Sequence, residues 1–169
     1  MRSRDRESPA AHLAELGLSL VVPRPGWAGR IAAFDLLAFD ADAWPVSVWM
    51  HELEGKSASY LALVSDTPGA AAVPDIVAIG GVSLGIEAEI LTIAVASAHR
   101  GRGLGGLLLD ELLAIADSQG SESVFLEVRS RDAVAQSLYQ GRGFEDVGRR
   151  PRYYHDDDAL IMRRDRPAI

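Results

Sequence analysis

Cysteine is absent from the 169 residues, which excludes disulfides, thiolate zinc sites and a cysteine nucleophile or acyl carrier. Long apolar runs are missing too: none approaches the roughly 20 residues of a membrane span. Positive charge is in short supply, with 17 Lys and Arg against 24 Asp and Glu and a formal net charge of −7. Nucleic-acid contacts demand a basic surface, so direct nucleic-acid binding is not expected, whereas a cationic partner such as an amine is accommodated. The first residues, Met1-Arg2-Ser3-Arg4-Asp5-Arg6-Glu7, lack the apolar core of a signal peptide, and a cytoplasmic location is expected. Internal repeats and low-complexity segments are also lacking. What is present suits a globular chain: 48% hydrophobic and 24% charged residues, with length for one domain and a proper core.

Hydrophobic periodicity and turn residues set out the order of elements. Residues 1–17 read as a flexible lead-in with a short helix, 18–165 as a single domain, and 166–169 as a short tail. A first strand, Leu18 to Val22, stops at Pro23 and Pro25. Helices follow over Gly29 to Asp40, with Ile31, Phe34, Leu37 and Ala38 at helical spacing, and over Val46 to Glu54 after Pro45. Strands are expected at Tyr60 to Val64, Ile76 to Val82 and Glu89 to Val95, with turns at Asp66 to Pro74 and Leu84-Gly85-Ile86. The second half alternates: helix Gly103 to Ser118, strand Ser123 to Val128, then a helix from Asp132 to Gln140 ended by Gly141 and Gly143. Two strands, Phe144 to Arg149 and Ala159 to Arg163, close the order. This is a mixed α+β sheet with one parallel crossover.

The strand-to-helix junction after Val95 carries Arg100-Gly101-Arg102-Gly103-Leu104-Gly105. Its glycines allow a tight turn with bare backbone N–H groups, and the helix dipole and two arginines add positive charge. That combination suits a phosphate or pyrophosphate, although a basic turn capping a helix would look the same. No Gly-Lys-Ser/Thr follows, as a P-loop requires, and the glycine spacing differs from the Rossmann fingerprint.

The pattern Arg-x-x-Gly-x-Gly resembles the acetyl-CoA pyrophosphate loop of the GNAT acetyltransferases. Downstream, Leu126-Glu127-Val128-Arg129, Ala133 through Leu138-Tyr139, and Gly143-Phe144 are similar to the RimI branch, which acetylates the N-terminal alanine of a ribosomal protein. Ala43-Trp44-Pro45 and the tail Arg149-Arg150-Pro151-Arg152-Tyr153-Tyr154 with Asp158-Ala159-Leu160-Ile161-Met162 share that resemblance, which spans roughly residues 18 to 164. It implies a GNAT fold: a central, mostly antiparallel twisted sheet of about seven strands, splayed in the middle and flanked by about four helices. It also implies acetyl-CoA as co-substrate, no metal, and a monomer or weak dimer. The acceptor implied is a protein N-terminal α-amine, on a ribosomal protein beginning with alanine. A lysine side chain, a small molecule or an aminoacyl group stays open as acceptor, as does a non-catalytic acyl-CoA-binding module.

Strand alternation puts Val124, Leu126 and Val128 on one face and Phe125, Glu127 and Arg129 on the other. A carboxylate in an apolar strand is costly unless paired or useful. Glu127 is thus either half of a surface pair with Arg129 or, as the resemblance implies, the general base, acting directly or through water. Tyr139 is either a core residue with its hydroxyl at the edge or the general acid toward the coenzyme thiolate; Leu138 beside it is expected to pack with Val134. The resemblance further implies a bulge near Ile93-Ala94-Val95, whose amides polarise the thioester, and a pyrophosphate on the amides of Arg102, Gly103, Leu104, Gly105 and Gly106, with Gly101 and Arg100 beside it. Asp132 stands where family members often carry asparagine, so its charge bears on coenzyme binding. Trp44, Arg129, Tyr153 and Tyr154 would border the peptide cleft, the alternative being plain packing and a hairpin. Asp156-Asp157-Asp158 reads as a solvated turn or an attractor for a cationic N-terminus, and His51, His99 and His155 lack metal-ligand spacing.

Overall fold

A computed structural model of the chain describes residues 8–69 and 74–168. Seven strands form one sheet in the order β1-β2-β3-β4-β5-β7-β6. They are β1 (Leu18–Val21), β2 (Ala58–Pro68), β3 (Pro74–Ser83), β4 (Glu87–Val95), β5 (Ser123–Arg129), β6 (Glu145–Arg150) and β7 (Ala159–Asp165). Five helices, α1 (Pro9–Glu15), α2 (Ala28–Phe39), α3 (Val46–Glu54), α4 (Leu104–Ser118) and α5 (Ala133–Gln140), lie among the described residues. Neighbouring strands pair antiparallel except β4 and β5, which run parallel through the α4 crossover. The mixed, mostly antiparallel sheet expected from the sequence is the one observed. Among these residues no helix is long and apolar enough to cross a membrane.

Two apolar clusters cover the two faces. On one, Leu108, Leu109 and Leu112 of α4 are fully buried against Leu63, Ala88, Ile90, Val124 and Leu126. On the other, Ile31 of α2 and Trp49 of α3 are fully buried against Tyr60, Ile79 and Ala94. The period-2 pattern of β4 slips between these clusters. Ala88 and Ile90 face the α4 cluster, yet so do Ile93 and Val95, which have the other parity. An extra residue, Leu91, absorbs the slip: Val82 pairs with Ile90 and Gly81 with Thr92, so Leu91 is a β-bulge. It packs with the opposite cluster.

The short helix expected in the lead-in begins at Pro9, started by Ser8, whose hydroxyl accepts from the Ala11 amide at 3.2 Å, and Leu13 joins the core. It brings the α-helices among the described residues to five, where about four were expected. Other expectations are corrected. Strands β2 and β3 run to Pro68 and from Pro74, which shortens the turn expected over Asp66 to Pro74. Residues 70–73 of that turn, 1–7 of the lead-in and 169 of the tail lie outside the described residues. Leu37 is 90% exposed, because the buried stripe of α2 runs through Ala28, Ile31, Ala32 and Asp35 instead. Val134 is 84% exposed, so Leu138 packs on the α4 cluster with Ala135 and not with Val134.

Leu108→Ala should lower unfolding free energy by about 2–5 kcal/mol in urea titrations, whereas Val134→Ala should change it by less than about 0.5 kcal/mol.

Candidate active site

The glycine-arginine loop takes a shape that favours glycine. Gly101 and Gly103 both have φ of 76°, and Gly103 is the N-cap of α4. The first-turn amides of this 15-residue helix have no intrahelical acceptor, and the helix dipole points its positive end at them. Arg100 folds back, its Nε donating to the Val95 carbonyl at 3.2 Å. The Arg102 carbonyl accepts from His12 Nε2 at 3.1 Å, so α1 holds the loop from outside. Gly106 is glycine for packing: Arg142 crosses where a Cβ would sit, reaching Asp110 Oδ1 at 2.7 Å. A Cβ at Gly105 would only touch Leu138 and Val95. An open groove of about 400 Å³ adjoins the loop, lined by Pro9, His12, Gly103, Leu107 and Arg142 among others.

Next to this loop the sheet opens. Pairing between β4 and β5 covers only Glu87 to Ile90 against Ser123 to Leu126. Beyond the Leu91 bulge, Ile93, Ala94 and Val95 pair with Gly80, Ile79 and Ala78 of β3, while no β5 partner continues the ladder on the other side. One backbone edge of β4 thus faces a gap. The donors and acceptors along it are those a third strand, or an extended ligand, would use.

Glu127 lies on the α2 and α3 side of this opening, its side chain 12% exposed. Arg150 Nε approaches Glu127 Oε1 at 3.0 Å, and interaction with the same carboxylate, helped by partial burial, holds the Tyr153 phenol above its ordinary pKa. Glu89, opposite Phe125 in the parallel register, belongs to this cluster. Partial burial and then the charge of Glu127 raise its carboxyl above the usual value, while Arg150 acts the other way. The surface pair of Glu127 with Arg129 is not formed. Arg129 pairs instead with Asp42, in the turn after α2, and with Asp156, and stacks on the Tyr154 ring at 4.6 Å. The Trp44 amide donates to Asp35 Oδ2 at 2.7 Å, and Asp35 is 2% exposed, its carboxyl raised by burial.

Tyr139 enters from the α4 side. It is 9% exposed, edge-on to Phe144 at 5.9 Å, and its hydroxyl is pushed up to about 12, first by burial and then by the charge of Asp132. Asp132 caps α5, accepting from the Ala135 amide at 2.9 Å. Tyr154 ties the β6–β7 connection to β5: its hydroxyl donates to the Glu127 carbonyl at 3.1 Å. Tyr153 and Tyr154 meet edge to face at 5.1 Å. Of the residues singled out in the sequence, contacts join Arg129 and Tyr153 to Tyr154 and Tyr154 to Glu127, while Tyr139 packs on Phe144 in the α4 cluster and Trp44 on Trp49 in the other. The sequence alone missed Glu89, Arg150, Asp42, Asp35 and His12. Alternation in Glu87-Ala88-Glu89-Ile90 places Glu89 away from the core, but its alignment two residues before Glu127 needs the β4–β5 register.

The acidic run is a turn tied down by hydrogen bonds, with Asp156 still exposed and Asp157 largely covered. Asp156 is held by Arg129; Asp157 accepts from the Ser130 hydroxyl at 2.6 Å and the Arg131 amide at 3.0 Å; Asp158 accepts from the Arg152 amide at 2.7 Å and Arg149 at 3.0 Å. These bonds stabilise the charged forms and hold all three carboxyls below the ordinary value. His155 is exposed, its amide directed at Asp42, and His51 lies in the last turn of α3.

A profile of the acetyltransferase (GNAT) family matches residues 21–144. The chain belongs to the GNAT acetyltransferase family. It is 39% identical over 131 residues to the N-alpha-acetyltransferase RimI of Mycobacterium tuberculosis, covering 73% of this chain and 77% of that protein. An uncharacterized protein of Mycobacterium leprae is 39% identical over 149 residues, which cover 83% of this chain but 39% of that protein's length. Over 80 residues, 45% of this chain and 54% of the relative, it is 38% identical to the ribosomal protein bS18-alanine N-acetyltransferase of Salmonella typhimurium. The fold matches the ribosomal-protein-S18-alanine N-acetyltransferase of Escherichia coli with TM-score 0.76 at 24% identity, covering 90% of this chain and 96% of that one. Arabidopsis thaliana NAA60 bound to a bisubstrate analogue matches with TM-score 0.77 at 15% identity, covering 89% and 99%.

The pinned aspartates fix a pH window for this GNAT domain. Their depressed folded-state pKa values contribute stability that is fully present above the ordinary carboxylate value, about 4, and lost as pH falls through the folded values. Ring resonances of Tyr153 and Tyr154 and exchange protection of the Ser130 amide, followed by NMR, should hold from neutral pH to about 4 and loosen below it.

Proposed function

We propose that this domain transfers the acetyl group of acetyl-CoA to the N-terminal α-amine of a protein, a ribosomal protein with N-terminal alanine being the favoured acceptor. The observation that carries this is the joint placement of Glu127 and Tyr139 on opposite sides of the opening between β4 and β5, with the helix-capping glycine loop at one end. The named RimI relatives support the choice of an α-amine over other amines.

The residues fit the coenzyme. Amides of Arg102 to Gly106 would take its pyrophosphate, with Arg100 and Gly101 beside them, and the groove next to Gly103 leaves room for the nucleotide end. The unpaired edge at Ile93, Ala94 and Val95 would bind the pantetheine arm in the manner of an added strand and aim amide dipoles at the thioester carbonyl. Asp132, at the start of α5, places a charge near the arm. Bound there, the coenzyme supplies an acyl group activated by its thiol leaving group.

The protein supplies proton handling and alignment. A free α-amine has a pKa of about 8 and arrives mostly as an ammonium. Glu127 accepts one proton from it, directly or through a water, and passes it to solvent. Tyr139 keeps its own proton throughout the neutral range because burial raises its pKa to about 12. It offers that proton to the departing sulfur, and the amine's second proton replaces it, so the balance closes. Trp44, Arg129, Tyr153 and Tyr154 border the acceptor's path and fix its approach.

A turnover assay with acetyl-CoA and peptides differing only in their first residues, with an internal-lysine control, tests the acceptor: activity confined to the free α-amine is expected, and activity confined to the lysine overturns it. Glu127→Gln should lower kcat/KM by about 10² or more with nearly unchanged acetyl-CoA affinity. Tyr139→Phe should lower kcat by about 10². Gly103→Val should weaken acetyl-CoA binding in calorimetry, since a left-handed φ strains a β-branched residue.

A further inference from the structure

Glu127 is already met by a cation of the protein's own. Arg150 places Nε 3.0 Å from its carboxylate and lies 5.7 Å from the centre of the Tyr153 ring, with 58% of the side chain exposed. An ion pair this open to water is weakly held. Arg149, the preceding residue, points to the other face of β6 and is spent on Asp158. Arg129 is spent on Asp42 and Asp156. Arg150 differs from both in that its partner is the group read as the base.

A second carboxylate stands beside that pair. Glu89 aligns with Phe125, two residues before Glu127 on the same face of the parallel pair; it feels the opposing charges of Glu127 and Arg150, and Tyr153 feels its charge. Two carboxylates against one guanidinium leave an unbalanced negative charge. Repulsion between them is relieved by any cation that lies between. The guanidinium now there sits on an aromatic face and against a carboxylate, which is the complement an alkylammonium also finds favourable.

We propose that Glu89 and Glu127 together form a two-carboxylate receptor for the acceptor's ammonium, and that Arg150 is its resident counter-ion, displaced when the acceptor enters. This rests on the reading of the cleft as the acceptor site. Glu89 is then a positioning residue: it holds the ammonium's charge while Glu127 takes the proton. Arg150, at the end of edge strand β6, swings into solvent and returns after product leaves, when the neutral amide no longer competes with it. The receptor selects for a charged acceptor and against acceptors that carry a carboxylate close to the amine.

The test compares wild type, Glu89→Gln and Arg150→Gln, each saturated with CoA so that no turnover occurs. The probes are a tetrapeptide with a free N-terminal alanine and the same peptide with that amine replaced by hydrogen, and binding is measured by calorimetry. Wild type should prefer the amine peptide. Glu89→Gln should weaken it roughly fivefold and leave the neutral analogue unchanged, while Arg150→Gln should tighten it by a similar factor. In steady state with acetyl-CoA, the same variants should move the peptide KM in those opposite directions while the acetyl-CoA KM stays nearly constant. Unchanged amine binding in Glu89→Gln, or weaker binding in Arg150→Gln, overturns the receptor while wild-type turnover of the peptide leaves the acetyltransferase reading standing. A wild type that neither binds nor acetylates the amine peptide brings down that reading, and the receptor with it.

Discussion

The site depends on the place where two parallel strands stop pairing. Strands β4 and β5 share four residue pairs and then part at the Leu91 bulge. A backbone edge inside a sheet is normally satisfied on both sides, so an unpaired stretch at Ile93 to Val95 is affordable only where solvent or a ligand can reach it. Everything that could act on a ligand in that gap is then positioned by the same divergence. The glycine-arginine loop lies past the end of β4, Glu127 lies on β5 just beyond the last pair, and Tyr139 comes from the helix that follows β5.

A gap between strands is a weakness, and the surrounding structure compensates for it with polar ties. Arg129 binds the turn after α2 to the β6–β7 connection through Asp42 and Asp156. Asp157 and Asp158 fasten that connection to Ser130, Arg131, Arg149 and Arg152. Arg152 itself has φ of 51°, a left-handed conformation stabilised by its amide's bond to Asp158. Tyr154 reaches the Glu127 backbone from the same connection. Most of these groups are partly exposed, so each tie is individually modest and the network acts by sharing fixed partners. The apolar clusters carry the fold; the ionic network carries the shape of the cleft.

Much of this was legible in the chain. The glycine-arginine loop is local: strand, glycines and helix are contiguous, and the backbone shape that Gly101 and Gly103 favour is a property of those residues. Glu127 could be singled out because a carboxylate interrupts an apolar alternation, and Tyr139 because its spacing to Gly143-Phe144 follows a family pattern. Even the bulge left a trace in the shift from Ala88 and Ile90 to Ile93 and Val95, although two isoleucines three apart do not announce one without knowing which face each meets. The partners of the acidic run were not legible, because they are supplied from β5, β6 and the turn preceding α5.

Alternation, capping residues and glycine conformation thus determined the elements, their order and the glycine-arginine loop from the sequence by itself, since those preferences act within a few residues. Only the tertiary structure decided who partners whom. Arg129 turned from Glu127 to Asp42 and Asp156, Arg150 took its place, and Glu89 became its neighbour across the strand pair. Charges are long-ranged and unselective along a chain, so their pairing is set by strand register and loop closure, which no local pattern encodes.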